Sequence, residues 1–317
     1  MSNARLDLAV VIVSWNVRDL LAACLRSLLA DLDRSRLSAQ VWVVDNASTD
    51  GTPEMVADAF PAVHLIASRE NLGFAGGNNL ALRQILNSNL QLPEYVWLLN
   101  PDTEVLPGAT AALLSALQAH PRAAVAGAKL LYPDGSLQQS AFRFPGLVQL
   151  LFEFLPLPPR LYDTPLNGRY PRRLYEGVSP FPVDHPLGAA MIVRAAAIEQ
   201  VGLLDEGFWM YCEEIDWCWR MRRAGWRALC VPAAQVVHYA GRSTEQVRVA
   251  SFVALWRSRL RLYDKHYPPL KRRLARALVQ AGVRWKMRQA RTAHRRGEIS
   301  AAELTATLDA CQTVLTL

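Results

Sequence analysis

The chain has 317 residues, 51% of them hydrophobic and 20% charged, with a formal net charge of +7. That balance excludes a disordered chain, and the length suits one large domain or a domain with an appended piece. The charge is unevenly placed: residues 257–296 hold 14 Lys and Arg against one acid, Asp264, which leaves the remaining chain acidic.

Five cysteines, Cys24, Cys212, Cys218, Cys230 and Cys311, are an odd number without CxxC spacing. They predict free thiols and a reducing cytosol. No basic-then-apolar leader opens the chain, and no run of about 18 uncharged apolar residues occurs. Neither a signal peptide nor a transmembrane helix is predicted.

In chain order, Leu8–Ser14 is a continuous β-branched run that reads as a buried parallel strand. Asp19–Leu32 has helical apolar spacing, and residues 40–44 form a second strand ending at Asp45-Asn46-Ala47-Ser48. Residues 52–60 predict a short helix opened by Pro53. A strand over 63–67, a helix over 78–87 and a strand over 95–99 follow. Strands alternating with helices predict an α/β, Rossmann-like sheet flanked by helices, with ligands at the strands' carboxyl ends. The polar motifs sit at those ends. Residues 132–184 are rich in Pro, aromatic and basic residues, and two readings stay open. One is a packed excursion over the sheet; the other is a surface for lipid or a lipid-linked acceptor. From residue 244 the pattern is helical, broken at Pro268-Pro269, and then basic and amphipathic.

Four stretches carry chemistry. In VWLLNPDTEV a buried strand delivers Asp102, a hard oxygen ligand suited to Mg²⁺ or Mn²⁺. A lone Asp after a strand is otherwise a turn residue. In FWMYCEEIDWCWRMRRAGW three carboxylates, Glu213, Glu214 and Asp216, stand among apolar residues that would raise a carboxylate pKa toward that of a general base. If this stretch is helical, Asp216 reaches Arg220 at i+4. In VVHYAGRST, His238 could ligate metal beside Asp102, and Arg242 and Ser243 could hold phosphate oxygens. ENLGFAGGNN offers three glycines for close backbone approach to a ligand, but is neither GxGxxG nor Walker A.

In this order, VVIVSWN, VVDNASTDGT, NLGFAGGNN, LLNPDTEV, PLGAAMIVR, GLLDEGFWMYCEEIDWCWR and HYAGRST resemble bacterial glycosyltransferase family 2, especially its rhamnosyltransferase-like branch. The resemblance covers roughly residues 8–244. It implies a GT-A domain over 1–245, with a donor-binding half to about 105 and an acceptor half after it. Residues 246–317 would be a C-terminal helical basic extension. It places Ser14 and Asn16 beside the nucleotide, Asp45 on the pyrimidine, and Asn46 in support of that loop. Asn71, Gly73 and Asn78 would line the ribose or diphosphate pocket. Asn100 and Asp102 stand where the family's metal-binding Asp-x-Asp lies, which leaves Asp102 and His238 as protein ligands. Glu214 matches the base position, with Asp216 second because sequence does not resolve an acidic cluster. Gly188, Trp209, Tyr211 and Glu213 would shape the sugar and acceptor pockets.

The implied reaction is metal-dependent, inverting transfer of a sugar from a nucleotide-diphosphate donor. The branch suggests deoxythymidine-diphosphate-rhamnose as donor and a glycan on polyprenyl diphosphate as acceptor, in cell-envelope polysaccharide synthesis. Peripheral attachment at the inner face of the cell membrane agrees with the basic segment, at about 1 kcal/mol per Lys or Arg near an anionic surface. A solvated helical face, or a contact in a homo-oligomer, would use the same charges. A sugar-nucleotide-forming nucleotidyltransferase is the competing enzyme, although its Gly-rich loop is missing after the first strand. A non-catalytic nucleotide-sugar binder has the same sequence features. Nucleic acid is not an expected partner, because the body is acidic and carries no nucleic-acid motif.

Overall fold

The computed structural model describes residues 6–87, 93–155, 158–240 and 248–317. Its frame is one mixed sheet. Strand β1 (Leu8–Ser14) lies between β2 (Ala39–Asp45) and β4 (Tyr95–Leu99), parallel to both, and β3 (His64–Ala67) extends the parallel set beyond β2. Beyond β4 the sheet turns mixed. Strand β11 (Ala190–Arg194) pairs antiparallel with β4 and with β6 (Ala123–Leu131), and β12 (Arg227–His238) runs parallel to β6. The short β5 (Thr103–Val105) closes that edge against β12. The order is β3-β2-β1-β4-β11-β6-β12-β5.

Side-chain alternation along the strands divides the core in two. Leu8, Val10, Ile12, Val41, Val43, Trp97 and Leu99 face one layer with helices α1 (Arg18–Ser35), α2 (Thr52–Ala59) and α4 (Ala109–Ala119). Ala9, Val11, Val13, Val44, Val96 and Leu98 face the other, with α3 (Gly73–Asn87), α8 (Ala195–Val201) and α9 (Glu213–Arg223). A strand covered on both faces has no polar alternation, which is why the sequence reads as continuous apolar runs. Trp97 is wholly buried, and its truncation to alanine would cost about 3–5 kcal/mol. The layers are pinned by polar contacts too: buried Asp31 of α1 accepts from the Gly108 and Thr110 N–H groups at 2.5 and 2.9 Å, capping α4.

Helix α3 starts at Gly73, five residues before the expected Asn78. The glycines therefore lie in its first turns instead of in a preceding loop. They permit close packing: a Cβ on Gly77 would stand 2.7 Å from Val13 Cγ1, and one on Gly73 would stand 2.1 Å from the Trp209 carbonyl oxygen.

The expected boundary at 245–246 falls outside the described residues. The helices that follow, Arg248–His266, Pro269–Arg295 and Ala301–Leu315, break at Pro268-Pro269 as the sequence predicts. They share a third core with α5 (Leu147–Phe152), through Leu150, Trp256, Tyr263, Val279 and Val314 among others. Much of the basic charge is spent internally. Arg259 pairs with Glu153, Arg261 and Lys265 with Asp205, and Arg276 with Asp264. Among the described residues no helix is long and apolar enough to cross a membrane, and all five cysteines are buried free thiols.

Candidate active site

The carboxyl ends of β1, β2 and β4 open into one cavity of about 570 Å³. Its walls include Ser14, Asn46, Asn71, Gly73, Asn100, Asp102, Gly188, Tyr211, Glu213, Glu214 and His238. Segments up to some two hundred residues apart thus meet in one hollow, at the place where the chain's crossovers diverge to either side of β1.

At the donor end, the loop after β2 is built by short polar bonds. Asp45 Oδ2 accepts from Ser48 N–H at 2.9 Å, and Asn16 Oδ1 accepts from Thr49 N–H at 2.8 Å. Asn46 Nδ2 donates to the Gly73 carbonyl at 3.0 Å, tying this loop to α3. Ser14 Oγ, Asp45 Oδ1 and Asn46 Oδ1 are buried and without a hydrogen-bond partner among the described residues. Buried polar atoms are ordinarily paired, so this cluster fits a polar ligand such as a nucleoside. Asn16 and Asp45 shape the loop but are not on the cavity wall. Asn78 departs from its expected role: it is buried within α3, its Nδ2 donates to the Phe74 carbonyl at 2.9 Å, and it too is absent from the wall.

Asp102 and His238 come together through the β5–β12 register, which pairs Thr103 with His238. His238 Nε2 lies 3.4 Å from Asp102 Oδ1, and both residues are buried. On the other side of the ring, Nδ1 is 2.8 Å from Gln138 Oε1. A donated Nδ1–H leaves Nε2 as a lone pair facing a carboxylate. Two acceptors face one another, a donor set that a divalent cation satisfies, with the outer partner fixing the tautomer. Among the described residues no group of three or more His, Cys, Asp or Glu converges as a metal site; Asp102 and His238 are a pair that could hold a cation, with a ligand molecule completing the shell. Gln138 was not foreseen. It is 100 residues from His238, and no local pattern marks it. Arg242 and Ser243 lie outside the described residues.

The acidic cluster left open by the sequence is divided by the structure. Tyr211 and Cys212, at φ 70° and 67°, are consecutive non-glycine residues in the left-handed region, an uncommon and costly backbone. They turn the chain so that Glu213 and Glu214, in the first turn of α9, reach the cavity. Met210 is held by Ser258 Oγ, which donates to its carbonyl at 2.7 Å. Glu214 lies beside Gly188, where a Cβ would meet its Cβ and Cγ at 3.5 Å. Burial pushes the Glu214 carboxyl up to about 7 against the opposing pull of backbone N–H groups at the helix start. Burial and the Glu214 charge push Glu213 well above the carboxylate range, and Glu213 Oε2 has no hydrogen-bond partner among the described residues.

Asp216, the second candidate for the base, is corrected: it is fully buried, off the cavity wall, and bound on every side. His266 Nε2 lies at 2.7 Å, Lys265 Nζ at 2.8 Å and Arg220 Nε at 2.8 Å. Burial alone would raise its pKa; the bonds from His266, Lys265 and Arg220 overcome that and hold it at about 2. It anchors α9 to the Arg248–His266 helix, and the i+4 pairing with Arg220 is as expected. Trp209, 44% exposed, sits over Gly73 with its Nε1 3.4 Å from the Asn71 carbonyl, at the rim instead of on the wall.

Residues 9–200 match the profile of glycosyl transferase family 2. An N-acetylglucosaminyl-diphospho-decaprenol L-rhamnosyltransferase of Mycobacterium tuberculosis is 33% identical over 267 residues, covering 82% of this chain and 85% of that protein. Among solved structures, mannosyltransferase PcManGT from Pyrobaculum calidifontis, in complex with GDP-Man and Mn²⁺, superposes with a TM-score of 0.55 at 18% identity, over 98% of this chain and 87% of its own. GalNAc-T7 with UDP, GalNAc and Mn²⁺ gives a TM-score of 0.54 at 17% identity, covering 74% of this chain, which spans only 44% of that one. At these identities the structural likeness is one of fold.

Proposed function

The chain belongs to glycosyl transferase family 2, with a GT-A fold, and on that premise we propose that it is an inverting, metal-assisted glycosyltransferase using Glu214 as base. We take the donor to be a nucleotide-diphosphate sugar, L-rhamnose by similarity to the mycobacterial enzyme and on deoxythymidine diphosphate as the resemblance to the rhamnosyltransferase-like branch implies, and the acceptor a sugar on polyprenyl diphosphate. The observation that carries the reading is that Glu214 and the Asp102–His238 pair line one cavity.

Asp102 and His238 would hold Mg²⁺ or Mn²⁺, which when bound offsets negative charge on a leaving diphosphate. The remaining work falls to the chain itself. Ser14 and Asn46, on the cavity wall, present unpaired polar atoms to the nucleoside end, and Asp45 supports their loop from behind. Gly73, on the cavity wall, leaves room for Trp209 to pack against the start of α3. Glu214 Oε accepts the proton of the acceptor hydroxyl as it attacks; its raised pKa makes it basic enough at neutral pH while leaving a large ionised fraction. Glu213, whose carboxyl burial and the Glu214 charge push well above the carboxylate range, lines the same cavity beside Glu214. Attack from the side opposite the leaving group inverts the anomeric centre.

Exposed arginines of the Pro269–Arg295 helix support peripheral residence at the inner membrane face, where such an acceptor would be met. The test is transfer of labelled rhamnose from its deoxythymidine-diphosphate donor to N-acetylglucosaminyl diphospho-polyprenol, with Mn²⁺, with Mg²⁺ and with chelator. Product formed only with a metal, of inverted anomeric configuration by NMR, is expected. Product of retained configuration would remove Glu214 as base, and undiminished activity in chelator would remove the metal.

A further inference from the structure

The cavity continues past Glu214 into a half lined by residues outside the motif stretches of the sequence. Its walls come from residues 142–153 and 167–169 and from the Arg248–His266 helix. Phe142, Pro145, Leu150, Leu255 and Tyr263 make it apolar, and Arg143 and Arg169 give it charge. The backbone joins the two segments that carry them: Phe142 bridges Arg169 antiparallel, and Arg143 N–H donates to the Gly168 carbonyl at 2.7 Å, and both arginines border the cavity. Arg169 shares Asp163 with Arg172, at 2.5 and 2.8 Å. Glu153, the carboxylate on this wall, is taken by Arg259 at 2.7 Å. Arg143 makes no ion pair with a carboxylate among the described residues, so this end of the cavity keeps uncompensated positive charge. Just outside, Val148, Leu151 and Leu155 recur at i, i+3 and i+7 along α5 and its following turn, and are 50%, 38% and 43% exposed. One wall thus joins a free guanidinium to an apolar corridor and an exposed apolar stripe.

We propose that this half of the cavity is a port for a lipid diphosphate: Arg143, assisted by Arg169, grips the diphosphate, and the apolar wall takes the first isoprene units. The proposal rests on the reading that the acceptor is polyprenyl-linked, and it assigns that acceptor's non-sugar part to named residues. A guanidinium fork matches phosphate oxygens in pairs, and it binds more strongly when one side of the site is apolar. A nucleotide alone would have no use for the corridor, and a hydrocarbon alone would have no use for the arginines.

The test is calorimetric titration of the whole protein with farnesyl diphosphate, the donor pocket being filled with saturating deoxythymidine diphosphate and Mn²⁺. Wild type is expected to bind it, and to bind farnesol and inorganic pyrophosphate at least tenfold more weakly. Arg143→Ala should weaken farnesyl diphosphate at least tenfold and leave farnesol unchanged, while Arg143→Lys should recover part of the loss. Arg143 is exposed, so both variants should keep the wild-type melting midpoint. Equal affinity in Arg143→Ala would overturn the proposal. So would displacement of farnesyl diphosphate by the nucleotide, or pyrophosphate binding as tightly as the lipid. The readout is binding, so a protein that binds farnesyl diphosphate as described yet transfers no sugar would defeat the proposed reaction and leave the port standing.

Discussion

Replacing Glu214 by glutamine should part catalysis from stability. Burial moves this carboxyl from 4.5 to about 7, and each pKa unit corresponds to about 1.4 kcal/mol, so ionising it in the folded protein costs on the order of 3 kcal/mol relative to the unfolded chain. The folded value lies above the unfolded one. The stabilising preference for the protonated form is therefore complete below about 4.5 and is lost as pH rises through about 7. Glutamine keeps the neutral shape at every pH. In urea denaturation, Glu214→Gln should match wild type near pH 4 and exceed it by up to about 3 kcal/mol near pH 8. Turnover of the same variant should fall about 10²–10⁴-fold. Wild-type kcat/KM should climb roughly tenfold between about pH 6 and pH 8, following the ionised fraction of one group. A variant with wild-type turnover would end the assignment of the base. A variant with unchanged stability near pH 8 would show that this carboxyl does not sit in the desolvated site from which the argument starts.

Asp102→Ala should weaken donor binding at least tenfold in calorimetry with Mn²⁺ and have little effect in chelator; equal loss in both would mean the residue holds the donor without a metal. Gly73 and Gly108 both have positive φ, 70° and 85°, but a Cβ meets Trp209 at the first and nothing within 4 Å at the second. Gly73→Ala should therefore lose about 2 kcal/mol more than Gly108→Ala in chemical denaturation, and equal losses would show that the Trp209 contact gives way cheaply. Asp216→Asn should cost about 2–3 kcal/mol, because it removes the buried carboxylate that Arg220 and Lys265 bind, yet leave the pH limb near 7 in place; loss of that limb would return Asp216 to the chemistry. Because the Asp216 carboxyl is depressed from 3.8 to about 2, its stabilisation is full above about 4 and disappears as pH falls toward 2.

The sequence carried the strands and the places where they end. Runs such as Leu8–Ser14 and Tyr95–Leu99 are apolar on both sides, which only a covered parallel strand requires, and the motif residues Ser14, Asn46 and Asp102 follow directly from them. Local chemistry also sufficed for the i+4 pair Asp216–Arg220 and for the break at Pro268-Pro269. It misplaced the start of α3, because a glycine-rich stretch has low helix propensity and only packing against Val13 and Trp209 rewards helix there.

What the tertiary structure decided is which groups share a dielectric and a partner. Glu214 and Asp216 are two residues apart and chemically alike, yet one is desolvated to about 7 and the other ion-paired to about 2, because different helices pack over them. Gln138 behind His238, and Arg143 with Arg169 at the cavity border, likewise depend on strand register and on the docking of the excursion. Sequence periodicity records the direction of a side chain relative to its own strand or helix. It holds no record of what another element, folded from a hundred residues away, brings against it.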